Sequence, residues 1–205
     1  EALFTIDEET GMTGAKGLKP GMLNGEILLN LDTEEDDEIG IGCAGGVDIT
    51  ATGDYQMEDP QQGSAAYVLK IAGLRGGHSG MDIIKGLGNA NKLMNRVLFR
   101  VSEELDIRIS SINGGGLRNA IPRESESIVV IDDMQVNALF EVVKEEKEII
   151  LNEFAKLEPK LSISLTKTKV PETVMETGDQ DILLRAIYGI HNGVFRMSPE
   201  IDGLV

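Results

Sequence analysis

The chain has 205 residues, of which 35 are acidic and 19 basic, giving a formal net charge of −16. That excess excludes the basic footprint of a nucleic-acid-binding protein and disfavours an anionic membrane surface, while favouring solubility and an affinity for cations. The length suffices for a sizeable core in one or two domains, no apolar run is long enough to span a membrane, and the single cysteine excludes an intrachain disulfide, which fits a reducing, cytoplasmic compartment.

The first predicted element is a short strand, Leu3-Phe4-Thr5-Ile6, running into Asp7-Glu8-Glu9 and then Thr10-Gly11. An apolar, β-favouring run that stops in charge marks a buried strand ending in a turn. In α/β proteins, functional groups collect at the carboxyl ends of strands. Three adjoining acids repel one another unless something positive holds them, the alternative being a solvated turn. A short helix over residues 13–18 follows, limited by Gly14, Gly17 and Pro20-Gly21. A second strand, about 26–31, is apolar nearly throughout, as expected of one covered on both faces, and it too ends in a carboxylate, Asp32. Two such strands at one sheet edge would build a divalent-cation site. Carboxylates alone suit magnesium or calcium, whereas zinc normally also takes imidazole or thiolate, and the chain offers only His78, His191 and Cys43.

The acidic run 32–38 lacks the glycine and terminal glutamate of a calcium-binding EF-hand loop and is a solvated loop with Asp32 as its functional candidate. Gly40-Ile41-Gly42-Cys43-Ala44-Gly45 matches G-x-G-x-x-G, but the segment after it, 47–52, alternates like a strand rather than opening a helix. Dinucleotide binding is therefore rejected. Cys43 is read as buried filler.

From about residue 47 the pattern changes. Strands are predicted at 65–74, 106–112, 127–131 and 160–167, with helices at 89–105 and 134–157. The first helix carries Ala90, Leu93, Met94, Val97, Leu98 and Val101 on one face; the second carries Leu139, Val142, Val143, Ile149, Ile150 and Phe154. Its run 144–148 is read as a solvated face with i,i+4 pairing. The order β-α-β-β-α-β is that of a ferredoxin-like unit. A further helix covers 181–190.

Five motifs occur together along the chain. They are Phe4-Thr5-Ile6-Asp7-Glu8-Glu9-Thr10-Gly11-Met12-Thr13-Gly14-Ala15, Leu31-Asp32-Thr33-Glu34, Gly42-Cys43-Ala44-Gly45-Gly46, Gly76-Gly77-His78-Ser79-Gly80, and Gly116-Leu117-Arg118-Asn119-Ala120-Ile121-Pro122-Arg123-Glu124. In order and spacing the chain resembles the aminoacyl-histidine (Xaa-His) dipeptidases, which are carnosinase-like co-catalytic zinc metallopeptidases. The fold class implied is α/β: residues 1–46 form part of a catalytic α/β domain, and 47–205 an α+β ferredoxin-like lid and dimerisation domain. The family's His-x-Asp pair, bridging Asp and C-terminal His are not found. The chain is thus expected to be an internal piece of a longer enzyme and inactive alone.

The resemblance implies hydrolysis of Xaa-His dipeptides at a pair of zinc ions by a metal-activated water, in a cytoplasmic homodimer joined through the lid. Glu8 is the expected general base, with Glu9 and Asp32 as metal ligands. His78 is expected to reach from the lid to stabilise the oxyanion, and Asn119 to bind substrate. Arg118 would pair a substrate carboxylate or form a structural ion pair. His191 is given no role. Two alternatives remain: a non-catalytic dimerisation or binding module, and a related aminoacylase or carboxypeptidase of the same fold.

Overall fold

The computed structural model describes residues 1–8, 11–30, 45–201 and 203–205. It divides into two compact units, Glu1–Val47 and Asp48–Val205. Glu9, Asp32 and Cys43 lie outside the described residues.

In the first unit a single turn of helix, α1 (Thr13–Lys16), takes the place of the expected 13–18 helix, ended by Gly17. Asp7 and Met12 both take left-handed backbone angles (φ +58°), the Met12 N–H donates to the Asp7 carbonyl at 2.5 Å, and the Thr13 hydroxyl donates to the Asp7 carboxylate. The strand expected at 3–6 is not formed, nor is the one expected at 26–31 over its described residues, 26–30. Phe4 is 93% exposed, and Ile27, Leu28 and Leu29 are exposed beside polar neighbours. Apolar runs of this kind become strands only when a sheet and its covering helices satisfy their backbone and bury both faces. Among the described residues no such partner pairs with them. The strand expected at 47–52 is absent for the same reason.

The second unit has the predicted order. A four-stranded antiparallel sheet is built from β2 (Ser64–Ala72), β3 (Arg108–Gly114), β4 (Ser125–Asp132) and β5 (Ser162–Thr168), in the order β3-β4-β2-β5. A two-residue strand β1 (Met57–Glu58), which precedes them, pairs with β6 (Val174–Met175) in a separate small ladder. The helices are α2 (Ala90–Glu104), α3 (Val136–Glu153) and α4 (Thr177–Gly189), with a short 3₁₀ turn, Asp133–Gln135, leading into α3. The sheet follows period 2. Tyr67, Leu69 and Ile71 join Ile109, Val129, Ile131 and Ile163 in the helical core, whereas Ala66 and Val130 pack on the opposite side with Val174.

The α2 stripe is buried as expected, and Asn89 caps the helix by accepting from the N–H groups of Asn91 and Lys92 at 3.0 and 3.2 Å. The α3 stripe differs at one place. Ile149 is 53% exposed, while Glu146, assigned to the solvated face, is only 6% exposed. The spacing Leu139, Val142, Val143, Glu146, Ile150 keeps the 3.6-residue period and puts an acid in the core-facing row. Arg96 on α2 makes this tolerable. Its Nε donates to Glu146 at 2.7 Å and a terminal nitrogen donates to Glu153 at 2.6 Å. Burial works against the charge on Arg96, but Glu153 and Glu146 hold its pKa above the usual guanidinium value.

Helix α4 also reaches the sheet. Gln180, buried, accepts from the Ile109 N–H at 2.7 Å and donates to the Ile107 carbonyl at 2.9 Å. The side-chain amide thus does for the outer side of β3 what a neighbouring strand would do.

Gly73 follows β2 with φ +82°, and a Cβ there would stand 2.0 Å from the Lys160 carbonyl oxygen. Gly73→Ala is expected to combine left-handed strain with a backbone clash and to destabilise the second unit by at least ~1–3 kcal/mol. A denaturation midpoint equal to that of the unaltered protein would refute this.

Candidate functional site

The site candidates of the second unit sit on two segments that leave the same end of the sheet, where Ile71 of β2 and Gly114 of β3 both pair with Ser125 of β4. The first, residues 73–89, joins β2 to α2 and carries Gly76-Gly77-His78-Ser79-Gly80. The second, residues 115–124, joins β3 to β4 and carries Leu117-Arg118-Asn119-Ala120. They are far apart in sequence but run side by side. His78 and Ala120 form an antiparallel bridge, the Ser79 N–H donates to the Asn119 carbonyl at 2.7 Å, and the Ile121 N–H donates to the Gly77 carbonyl at 2.8 Å. The Ala90 N–H, at the start of α2, donates to the Pro122 carbonyl at 3.0 Å. Thus His78, Arg118 and Asn119 are brought together.

His78 is exposed, and its loop holds it by both backbone and ring. Its N–H donates to Asp82 Oδ2 at 2.7 Å, and its Nδ1 accepts from the N–H groups of Gly80 and Met81, both at 3.1 Å. Two amides aimed at Nδ1 require a lone pair there, so the neutral ring carries its hydrogen on Nε2. The imidazole therefore presents an N–H donor away from its own loop. Asp82 is in turn fixed by Lys85, whose Nζ lies 2.5 Å from Oδ1. The bond from Lys85, followed by that from the His78 amide, holds the Asp82 carboxyl below its ordinary pKa. Gly77 is needed beside it, because a Cβ there would come within 2.6 Å of Asp82 Oδ2.

Arg118 is exposed and pairs with Asp48 at 3.2 Å, so one of its two expected uses, an ion pair within the protein, is seen. At such exposure the pair is worth little and exchanges readily for another carboxylate. Arg118 and Ser79 also line a cleft of about 720 Å³, together with Asn89, Asn91, Lys92 and Gly115. Lys92 closes one side of it by donating to the carbonyls of Ile187, Tyr188 and Ile190 at 2.6, 3.1 and 2.7 Å. Its partial burial lowers its pKa.

Glu158, between α3 and β5, is 2% exposed and serves the same loop. Oε2 accepts from the Arg75 N–H at 2.8 Å and Oε1 from the Gly88 N–H at 2.9 Å. Sequence reasoning missed both Asp82 and Glu158. An acid four residues after a glycine-flanked histidine is a signal for the first. Glu158 interrupts no periodic pattern, and nothing in the sequence marks it.

Glu8 is exposed in the first unit. His191, just beyond α4, makes an edge contact with Phe195, with ring centroids 5.6 Å apart. Among the described residues no group of three or more His, Cys, Asp or Glu side chains is placed to hold a metal ion. The remaining candidates, Glu9 and Asp32, are carboxylates. Such a donor set does not by itself fit zinc.

Residues 69–159, which carry the histidine loop and helices α2 and α3, match the family described as the peptidase dimerisation domain. The likeness extends well beyond that segment. Over all 205 residues the chain is 41% identical to the cytosol non-specific dipeptidase of Escherichia coli (strain K12), covering 42% of that protein. The crystal structure of aminoacylhistidine dipeptidase from Vibrio alginolyticus aligns with 98% of the chain and 41% of its own, at 40% identity and a TM-score of 0.81. The chain is similar throughout to dipeptidases, as its motifs lead one to expect, and it spans about two fifths of the length of these relatives.

Proposed function

We propose that the chain is part of a dipeptidase that hydrolyses Xaa-His dipeptides at a pair of zinc ions. The observation that carries this reading is the hydrogen-bonded pairing of the His78 loop with the Arg118-Asn119 segment, in a chain similar over its whole length to dipeptidases. Glu9 and Asp32 are the proposed zinc ligands, completed by residues outside this chain. When bound, the metal pair supplies a water whose pKa is lowered toward ~7. Glu8 is the proposed general base, a carboxylate able to take up a proton. His78, its hydrogen on Nε2, donates to the carbonyl oxygen as negative charge develops there. Asn119 binds the substrate backbone, and Arg118 exchanges Asp48 for the substrate carboxylate.

The lid residues 48–205 are proposed to pair with a second copy, which the match to a peptidase dimerisation domain supports. No helix among the described residues is long and apolar enough to cross a membrane. A cytoplasmic location is proposed on the name of the Escherichia coli relative.

The test is a substrate panel on the complete protein. Xaa-His dipeptides should be cleaved, and the activity should vanish on chelation and return with zinc. The two relatives bear different specificities in their names, so Xaa-Gly dipeptides measure the breadth of the pocket. Hydrolysis of N-acyl amino acids without dipeptides would establish the aminoacylase reading instead. Hydrolysis of neither would leave a binding module.

A further inference from the structure

We propose that Glu158 is a positioning residue for His78, acting through the loop that carries the imidazole; this rests on the reading of His78 as a donor to the substrate. Glu158 is itself fixed at the junction of α3 and β5. Its N–H donates to the Phe154 carbonyl at 2.8 Å, and its carbonyl accepts from the Leu161 N–H at 3.0 Å. From that anchored backbone the carboxylate reaches both ends of the His78 loop, Arg75 at the start and Gly88 at the finish. Among the described residues its side-chain partners are these two amides and no lysine or arginine.

A buried carboxylate without a cation is costly unless its oxygens are satisfied by donors. Here each oxygen takes one backbone N–H, so the two ends of the loop are pinned to one rigid group. The close packing agrees with this. A Cβ at Gly88 would stand 2.7 Å from Leu74 Cδ2 and 3.4 Å from Glu158 Cγ. Between the pinned ends, Gly77, His78 and Ser79 pair with residues 119–121, and Asp82 closes the turn by bonding to the backbone N–H and carbonyl of His78. Glu158 is remote in sequence from both motifs and is not placed among the groups that touch substrate. Its role is to keep the His78 Nε2–H at one distance and angle.

The experiment is a double-mutant cycle in the complete, zinc-loaded protein, with Glu158→Gln, His78→Ala and the pair. Glutamine keeps the shape but sets an NH2 group against one of the two amide donors, releasing one end of the loop. Glu158→Gln alone should lower kcat ~10- to 100-fold, the scale on which small misplacement of a reacting group acts. KM should change little. In the His78→Ala background the same substitution should leave the residual kcat unaltered, because there is no imidazole left to position. An equal loss in both backgrounds would mean that Glu158 only supports the fold, and wild-type kcat in the single variant would dismiss it. His78→Ala with wild-type kcat would instead remove the reading of His78 on which the proposal rests. If Glu158→Gln does not accumulate folded, amide hydrogen exchange of the unaltered protein decides. Arg75 and Gly88 should exchange slowly, like strand amides, and exchange at the rate of open loop amides would overturn the clamp.

Discussion

Glu8→Gln in the complete protein lowers kcat by ~100- to 10,000-fold, the usual contribution of a positioned general base. Its zinc content should match that of the unaltered protein. The amide keeps the size and polarity of the side chain but cannot take a proton from water. Glu9→Gln and Asp32→Asn should behave differently, losing metal and activity together, because a neutral amide oxygen is a far weaker zinc donor than a carboxylate. Metal analysis beside the rate assay separates the two classes of variant. Equal metal loss in all three would show that base and ligand have been exchanged. The contrast is informative because Glu8 and Glu9 are adjacent. On a regular strand they would point to opposite faces, and only a turn lets both serve one centre. On either side of the two, Asp7 and Met12 take left-handed backbone angles, and the Met12 N–H donates to the Asp7 carbonyl.

His78→Ala is expected to lower kcat ~100- to 1,000-fold, equivalent to about 3–4 kcal/mol, the loss measured when one oxyanion donor is removed elsewhere. Zinc content should not change. An ordinary exposed histidine would cost within about 0.5 kcal/mol. His78→Asn is a useful companion, since a shorter N–H donor should recover part of the rate if donation rather than bulk is what matters. Mixing His78→Ala with Glu8→Gln subunits distinguishes two routes. Restored activity means that the imidazole serves a partner's centre across a dimer. No restoration means that it serves the centre of its own chain. Wild-type turnover in His78→Ala would take the lid out of the chemistry.

Much of the second unit was legible in the sequence, because its helices and strands obey their periods. The α2 stripe from Ala90 to Val101 is buried in full, and the β-α-β-β-α-β order is as predicted. Periodicity reports which face a residue occupies, but not whether a neighbouring strand is there to receive it. That is why 3–6, 26–30 and 47–52, all patterned as strands, form none. It is also why the two-residue partners β1 and β6 went unseen. Buried polar groups were illegible for another reason. Glu146, Glu158 and Gln180 are paid for by partners 50, 83 and 71 residues away, and composition carries no trace of those partners. The site divides in the same way. His78, Arg118 and Asn119 were visible as motif residues, while the pairing that sets His78 beside Ala120 is a tertiary fact.

The glutamine that imitates a strand has a consequence in time. An open sheet edge is a template on which other chains can pair, and β3 depends on Gln180 for cover over Ile107 to Ile109. Gln180 lies 71 residues beyond Ile109 in sequence. At ~5–20 residues per second of synthesis, roughly 4–14 s separate the emergence of the edge from that of its cover. During that interval the nascent sheet is exposed to its neighbours on the same message, and the docking of α4 closes it.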